Sequence, residues 1–145
     1  MILCDVNVLV YACAPASPHH QRFRTALRDL LDEGQPFGVN GQILAAVLRI
    51  CTHPKIFKPP ATPETVFPFL DHLMKHPQAV PLETGPRHWS IFQDLVLSMK
   101  LGGGDITDAW FAALALEHDC EWWTTDAGFD RFPGLRVRNL LRGKP

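Results

Sequence analysis

The amino-acid sequence predicts an α/β protein with a mainly parallel sheet that is covered by helices on both faces. Short apolar runs of strand length alternate along the chain with longer segments whose apolar residues recur at helical spacing. The first run, Ile2–Cys4, shows no alternation of polar and apolar residues, as expected of a central strand buried on both faces. Strands separated by helices imply parallel crossovers, and these place helices against the sheet.

In the first half of the chain, the predicted helices have recognisable ends. Leu27 and Leu30 belong to a helical repeat that Gly34 is expected to end. Asn40 is placed to cap the next helix, which should stop before Pro54. The expected elements are a strand at Ile2–Cys4, a helix that includes Val8–Ala12, a helix at His19–Glu33, a strand at Phe37–Val39 and a helix at Gln42–Cys51.

The second half repeats this alternation. Thr62 is expected to cap a helix whose first turn holds Pro63 and Glu64, since a proline and an acid both favour a helix start. Trp89 and Leu95 lie on the predicted core face of the following helix. The expected elements are a helix from Thr62 to about His76, a strand at Ala79–Leu82, helices at His88–Lys100 and Thr107–His118, a strand at Glu121–Thr124, a helical turn at Asp130–Phe132 and an edge strand at Leu135–Val137.

Length and composition restrict the class of protein. The chain has 145 residues, of which 46% are hydrophobic and 20% charged, with a formal net charge of −1. We expect one domain over residues 1–145. The four cysteines form no CxxC pair, which favours reduced thiols inside a cell. No apolar run reaches the length of a membrane span, so the sequence favours a cytoplasmic protein.

Three carboxylates stand at the ends of apolar elements. Asp5 follows the first strand, Asp126 follows the Glu121–Thr124 strand, and Asp108 lies in the first turn of the helix before that strand. Ligands of open α/β sheets bind outside the carboxyl ends of the strands. We therefore expect the three acids to converge. Converged carboxylates favour Mg²⁺ or Mn²⁺, and a hydrated ion of this kind supports hydrolysis of a phosphate ester.

Each acid also has a purely structural interpretation. Asp5 can end a strand in a turn. Asp105 and Asp108 have the spacing of a capping box in which Asp105 is the N-cap. Asp126 can open an Asx turn before Gly128. Their common position at the ends of apolar elements favours a site.

These residues also match a known family. The chain resembles the PIN-domain fold and, more narrowly, the VapC-type ribonuclease toxins of prokaryotic toxin–antitoxin modules, and the resemblance covers nearly the full length. The motifs that carry it are Asp5-x-Asn7 after an N-terminal strand, Asp108-Ala109 before an alanine-rich helix, and Thr124-Thr125-Asp126 followed by Phe129.

The resemblance implies a Mg²⁺-dependent endoribonuclease. Asp5 and Asp108 would be the principal metal ligands and Asp126 a further acid of the same site. Asn7 would orient Asp5 or a bound water, and Thr124 would support that network through its hydroxyl. The family further implies an RNA substrate, a VapB-like antitoxin that covers the acidic site, and a homodimer.

One departure from the family pattern affects the number of metal ions. The family usually carries an acid on the helix that corresponds to Gln42–Cys51, where this chain has Ala45, Ala46 and Val47. The sequence therefore leaves open one ion or two. Asp105 is a candidate compensating ligand, with its capping role as the alternative.

Two other functions compete with the nuclease. A PIN-like module that binds RNA or a partner without cutting would explain the absent helix acid. A haloacid-dehalogenase-like phosphatase also begins with an aspartate after a first strand, but it needs a second aspartate where this chain has Asn7. The Arg131–Lys144 segment contains five basic residues and no acid, and it is either a solvated surface or part of an RNA-binding surface.

Overall fold

The computed structural model describes residues 1–142, and a five-stranded parallel sheet organises them. The central strand β1 (Ile2–Cys4) pairs with β2 (Phe37–Val39) on one side and β4 (Glu121–Thr124) on the other. The sheet is extended by β3 (Ala79–Pro81) beside β2 and by β5 (Arg136–Asn139) beside β4. Because every pairing is parallel, the carboxyl ends of all five strands lie along one edge of the sheet.

Helices form two groups that pack against this sheet. The described helices are α1 (Val6–Cys13), α2 (His20–Asp32), α3 (Gly41–Cys51), α4 (Pro63–Met74), α5 (His88–Ser98), α6 (Asp105–Glu117) and a 3₁₀ helix (Ala127–Arg131). Among the first four helices, α1 packs against α2 and α3, and α3 packs against α4. In the second group, α5 packs against α6. The strand order is β3-β2-β1-β4-β5, so the chain adds β2 and β3 on one side of β1 and then crosses back to add β4 and β5 on the other side. Because crossovers between parallel strands are right-handed, this reversal places the first four helices and the α5–α6 pair on opposite faces of the sheet. The predicted α/β architecture is confirmed.

The core follows the predicted pattern with one exception on α5. Trp122 and Trp123 of β4 are both buried, as expected of a strand covered on two faces. Trp89, which the sequence places on the core face, is instead 59% exposed. Its neighbour His88 takes the buried position, where the ring approaches the Trp110 carbonyl oxygen at 3.0 Å. The prediction for Trp89 is therefore wrong, because the face of α5 that packs on the core includes His88 instead of Trp89.

Two helix starts decide how the site is built. Asn40 caps α3 as predicted, and its Oδ1 accepts from the N–H groups of Gln42 and Ile43 at 3.0 and 3.2 Å. By contrast, α6 begins at Asp105, two residues before the predicted Thr107, and its N-cap is Gly104.

None of the helices within residues 1–142 is long and apolar enough to cross a membrane.

Candidate active site

The three predicted acids lie at the sheet edge between β1 and β4. Asp5 directly follows β1, and Asp126 comes two residues after β4. Asp108 lies in the first turn of α6, which runs antiparallel to the strands and so begins at the same edge. The chain direction across the sheet reverses between these two strands, and that is where open α/β sheets bind ligands. The negative charges of Asp108 and Asp126 both act on Asp5.

Asp5 is a buried carboxylate at the end of the central strand. Its backbone N–H donates to the Trp123 carbonyl oxygen at 2.8 Å, which extends the pairing of β1 with β4 by one residue. Its side-chain Oδ2 accepts from the Thr124 hydroxyl at 2.6 Å. Burial raises the pKa of Asp5 to about 6, with smaller upward contributions from the charges of Asp108 and Asp126 and a downward one from Thr124.

Thr124 joins two of the acids. Its side chain is fully buried at the end of β4. The hydroxyl donates to Asp5 Oδ2 and at the same time accepts from the backbone N–H of Asp126 at 3.0 Å. A single hydroxyl therefore fixes both the Asp5 carboxylate and the path of the chain after the strand.

Asp126 is exposed, and it forms the predicted Asx turn before Gly128. Its Oδ1 accepts from the N–H of Gly128 at 2.7 Å and caps the 3₁₀ helix. A side chain at Gly128 would place a Cβ 3.0 Å from Asp126 Oδ1, so glycine keeps this cap compact. Among residues 1–142, Asp126 Oδ2 has no hydrogen-bond donor.

Asp105 and Asp108 share one basic side chain. Arg131 Nη2 donates to Asp105 Oδ1 at 3.1 Å and to Asp108 Oδ2 at 3.2 Å. Burial raises the pKa of Asp108, as does the charge of Asp126, whereas Arg131 opposes the rise. The capping-box interpretation is wrong, because Asp105 is the first helical residue and no side chain caps α6.

The remaining predicted position lies on α1. Asn7 is exposed in the first turn of that helix, and within the described residues its side chain makes no hydrogen bond to Asp5. On α3, where the family acid is missing, Gln42 Oε1 accepts from Trp110 Nε1 at 3.0 Å. This contact links the start of α3 to α6 across the site edge.

Arg131 was not among the predicted site residues. The sequence places it in a basic segment, and its contact with Asp105 and Asp108 depends on how the chain turns after β4. A usable signal was its position five residues after Asp126, on a short helical turn that starts beside the acids.

A second surface lies along β5, where four arginines outnumber the acids Glu121 and Asp130. Four arginines line a cleft of about 840 Å³, together with apolar residues such as Val137 and Leu140. The guanidinium carbon of Arg138 lies 4.8 Å from the centre of the Trp123 ring. Arg142 forms an ion pair with Asp130, the residue before Arg131. The arginines of this β5 cleft are Arg22, Arg136, Arg138 and Arg142. Lys144, the last basic residue of the predicted segment, lies outside the described residues.

The carboxylates fit a hard divalent cation in charge and chemistry. Asp5, Asp108 and Asp126 supply only oxygen donors, and burial, together with a smaller contribution from mutual repulsion, raises the pKa of Asp5 and Asp108. Within residues 1–142, however, no three acidic, histidine or cysteine side chains lie close enough to hold one ion together. In the structure, Oδ2 of Asp108 is bonded to Arg131.

Solved structures of other proteins share this fold. VapBC2 from Rickettsia felis, bound to a DNA fragment from its promoter, superposes with a TM-score of 0.69 over 96% of this chain and 98% of the other, at 19% identity. FitAcB from Neisseria gonorrhoeae superposes with a TM-score of 0.61 over 97% and 99% of the two chains, at 16% identity.

Sequence comparisons give the family. The PIN domain profile matches residues 2–135. VapC ribonuclease Mb2897 of Mycobacterium bovis is 38% identical over 144 residues, which cover 99% of this chain and 98% of the relative. Ribonuclease VapC25 of Mycobacterium tuberculosis is 34% identical over 94% of this chain and 96% of its own length. The chain therefore belongs to the PIN-domain family, in its VapC branch.

Proposed function

We propose that this protein is a metal-dependent endoribonuclease and the toxin component of a toxin–antitoxin module. The observation that carries the proposal is the position of Asp5, Asp108 and Asp126 at the point where the chain direction across the sheet reverses. A buried carboxylate with a raised pKa beside two others is costly in a purely structural role, and it suits a cation site. The names of the VapC relatives support ribonuclease activity.

In this proposal the three carboxylates hold Mg²⁺ or Mn²⁺. When bound, such an ion lowers the pKa of a coordinated water and stabilises negative charge on the phosphodiester. Thr124 keeps the Asp5 carboxylate in one orientation through its 2.6 Å hydrogen bond. Asn7, exposed at the start of α1, offers its amide to a water or to the substrate.

The β5 cleft is proposed to hold the RNA backbone. Arg138 is fixed on the Trp123 ring without an acidic partner in the described part of the chain, so its guanidinium can bind a phosphate. Thr125 and Asn139 connect the cleft to the acids, since Asn139 Nδ2 donates to the Thr125 carbonyl oxygen at 3.2 Å. Charge and proximity together suit a single strand that passes from the cleft to the carboxylates.

We further propose that a VapB-like antitoxin binds the chain over the acidic site and that the chain forms a homodimer. The antitoxin proposal is supported by the likeness of the fold to VapBC2 and FitAcB. The homodimer follows from the family resemblance alone. Size-exclusion chromatography with light scattering, with and without the protein encoded by a neighbouring small reading frame, tests both.

The activity is tested with purified chain, single-stranded RNA and Mg²⁺ or Mn²⁺. We expect cleavage by the natural sequence, and a loss of at least about a hundredfold in Asp5→Asn, in Asp108→Asn and in excess chelator. Asp71→Asn is the matched control, because it removes an exposed carboxylate from α4, where Asp71 pairs with Lys75. Cleavage that survives in Asp5→Asn and in chelator would contradict the proposal.

A PIN-like module that binds RNA without cutting remains the second candidate. The observation that favours it lies on α3, where Gln42 is bonded to Trp110 and no acid takes the usual family position. RNA binding by the natural sequence without cleavage under any divalent ion would support this candidate. Release of phosphate from a small monoester would instead support the haloacid-dehalogenase-like alternative, which the family match does not favour.

A further inference from the structure

Arg131 is a basic side chain placed directly against the acid cluster. Its Nη2 bridges Asp105 Oδ1 and Asp108 Oδ2 at 3.1 and 3.2 Å. The guanidinium carbon lies 5.0 Å from the centre of the Phe132 ring, which supports the guanidinium from one side. The arginine is therefore held by three contacts on one flank of the site.

These contacts use only part of the guanidinium. A guanidinium carries five N–H donors, and Nη2 supplies the two contacts with acids. Among residues 1–142, Nη1 and Nε of Arg131 make no hydrogen bond. The side chain is 34% exposed, so solvent reaches the guanidinium beside Asp108. A planar fork with free donors next to carboxylates suits a phosphate oxygen.

Asp105 is an acid in the first turn of α6, where its charge favours the helix start. It does not cap α6, because the N-cap is Gly104 and no side-chain cap is formed. Its Oδ1 binds Arg131, and its side chain is 48% exposed. Asp108 differs, since Arg131 binds its Oδ2 and its Oδ1 stays available to a cation. The two acids of α6 therefore have different partners.

We propose that Arg131 binds a non-bridging oxygen of the RNA phosphate at the active site, and that Asp105 positions Arg131 instead of binding metal. This inference rests on the proposed nuclease function. An RNA phosphate that approaches three carboxylates is repelled, and a fixed guanidinium offsets that repulsion at short range. Asp105 supplies the second anchor, so that Asp108 can rotate toward an ion without releasing the arginine.

The test compares Arg131→Gln, Arg131→Lys, Asp105→Asn and the double variant Asp105→Asn/Arg131→Gln with the natural sequence. Cleavage kinetics are measured with Mg²⁺, RNA affinity across a salt series in chelator, and Mn²⁺ affinity by titration calorimetry. Circular dichroism confirms that each variant is folded. Asp108→Asn serves as the reference for loss of a metal ligand.

We expect Arg131→Gln to lower kcat/KM by roughly 10- to 100-fold and to reduce the salt slope of RNA binding by about 0.7. For Arg131→Lys, both values should lie between those of the natural sequence and those of Arg131→Gln, because lysine keeps the positive charge but lacks the planar fork of donors. Asp105→Asn should lower kcat/KM by roughly 3- to 10-fold and add nothing in the Arg131→Gln background. Its Mn²⁺ affinity should stay near the natural value, whereas Asp108→Asn weakens it.

Three results would overturn this inference. The salt slope of Arg131→Gln could equal that of the natural sequence, or Asp105→Asn could weaken Mn²⁺ binding as much as Asp108→Asn. The effects of Asp105→Asn and Arg131→Gln on kcat/KM could also multiply independently. If the natural sequence binds RNA but cuts none, the nuclease proposal fails and the salt slope and Mn²⁺ titration still decide the roles of Arg131 and Asp105. If it binds no RNA, both proposals fail.

Discussion

Asp5 combines burial with a negative charge, and these two properties oppose each other. In the folded protein, burial raises the pKa of Asp5 from its ordinary value of 3.8 to about 6. Between these values the folded state holds a proton that the unfolded state has released. Stability therefore falls as the pH rises through this window, and above about pH 6 the full cost of the buried charge is present.

We accordingly expect Asp5→Asn to stabilise the protein at pH 7 by on the order of 2 kcal/mol in the presence of chelator. The asparagine carbonyl can still accept from the Thr124 hydroxyl, so the hydrogen bond is kept. At pH 4 the difference should nearly disappear, because Asp5 is then protonated in the folded protein. Urea unfolding of both proteins at the two pH values measures the effect.

Asp71→Asn is the control for the Asp5 experiment, since it removes one exposed charge from α4 and reports the effect of net charge alone. A variant Asp5→Asn that is less stable than the natural sequence at pH 7 would show that the carboxylate is compensated in the folded state. The interpretation that the buried charge of Asp5 destabilises the folded protein would then be wrong.

The sequence predicts the acids of this site better than their partners. Asp5 and Asp126 follow from the rule that residues after the carboxyl ends of parallel strands meet at one edge, and Asp108 follows from the start of a helix at that edge. The contact of Arg131 with Asp105 depends on side-chain distances after the turn that Asp126 caps. Local sequence patterns do not encode such distances, so Asp105 looked like a helix cap.

At the scale of elements, the start of α3 shows how one side chain fixes both a helix and a loop. Asn40 is 4% exposed, and its Oδ1 accepts from two N–H groups of α3. Its Nδ2 donates to the Leu82 carbonyl oxygen at 2.8 Å, which ties the helix start to the segment after β3. Sequence spacing predicts the cap, whereas the bond to Leu82 requires the tertiary structure.

We expect Asn40→Ala to destabilise the protein by about 2–3 kcal/mol, because it removes the cap and leaves buried polar groups without partners. Asn40→Ser should lose roughly half as much, since serine keeps a cap oxygen but is too short to reach Leu82. Chemical unfolding with circular dichroism measures both. Equal losses in the two variants would show that the bond to Leu82, and not the cap, carries the effect.

Helix and strand identities follow from the sequence more closely than their ends do. Strands β2 and β4 have the predicted bounds, Phe37–Val39 and Glu121–Thr124, because apolar runs between polar residues delimit them. Helix α6 begins earlier than predicted because Gly104 and Asp105 continue the helical backbone without a side-chain cap. The predicted end strand Leu135–Val137 is shifted to Arg136–Asn139, where pairing with β4 sets the register.

At the scale of the whole molecule, the sheet order determines where the site lies. The sequence predicts parallel strands, but no local pattern states that β1 lies between β2 and β4. That order brings Asp5, four residues after the chain start, beside Asp126. It also makes β5 an edge strand, which leaves Arg136 and Arg138 exposed. Function therefore depends on pairings between residues that are far apart in sequence.

The β5 cleft gives the last prediction. We expect the double variant Arg22→Gln/Arg138→Gln to weaken RNA binding by roughly 10-fold at moderate salt and to lower the salt slope by about 1.4, because each of these two cleft arginines is proposed to contact a phosphate. Metal affinity should not change, since neither side chain contacts Asp5 or Asp108. Fluorescence anisotropy across a salt series measures the binding.

Lys55→Gln/Lys75→Gln is the matched control for this variant. It removes the same total charge, and Lys75 lies at the end of α4, which packs against β3 at the opposite edge of the sheet. If net charge alone attracts RNA, both double variants weaken binding equally. A selective loss in the β5 cleft variant requires a local contact, because surface charges farther apart than about 10 Å are largely screened at moderate salt.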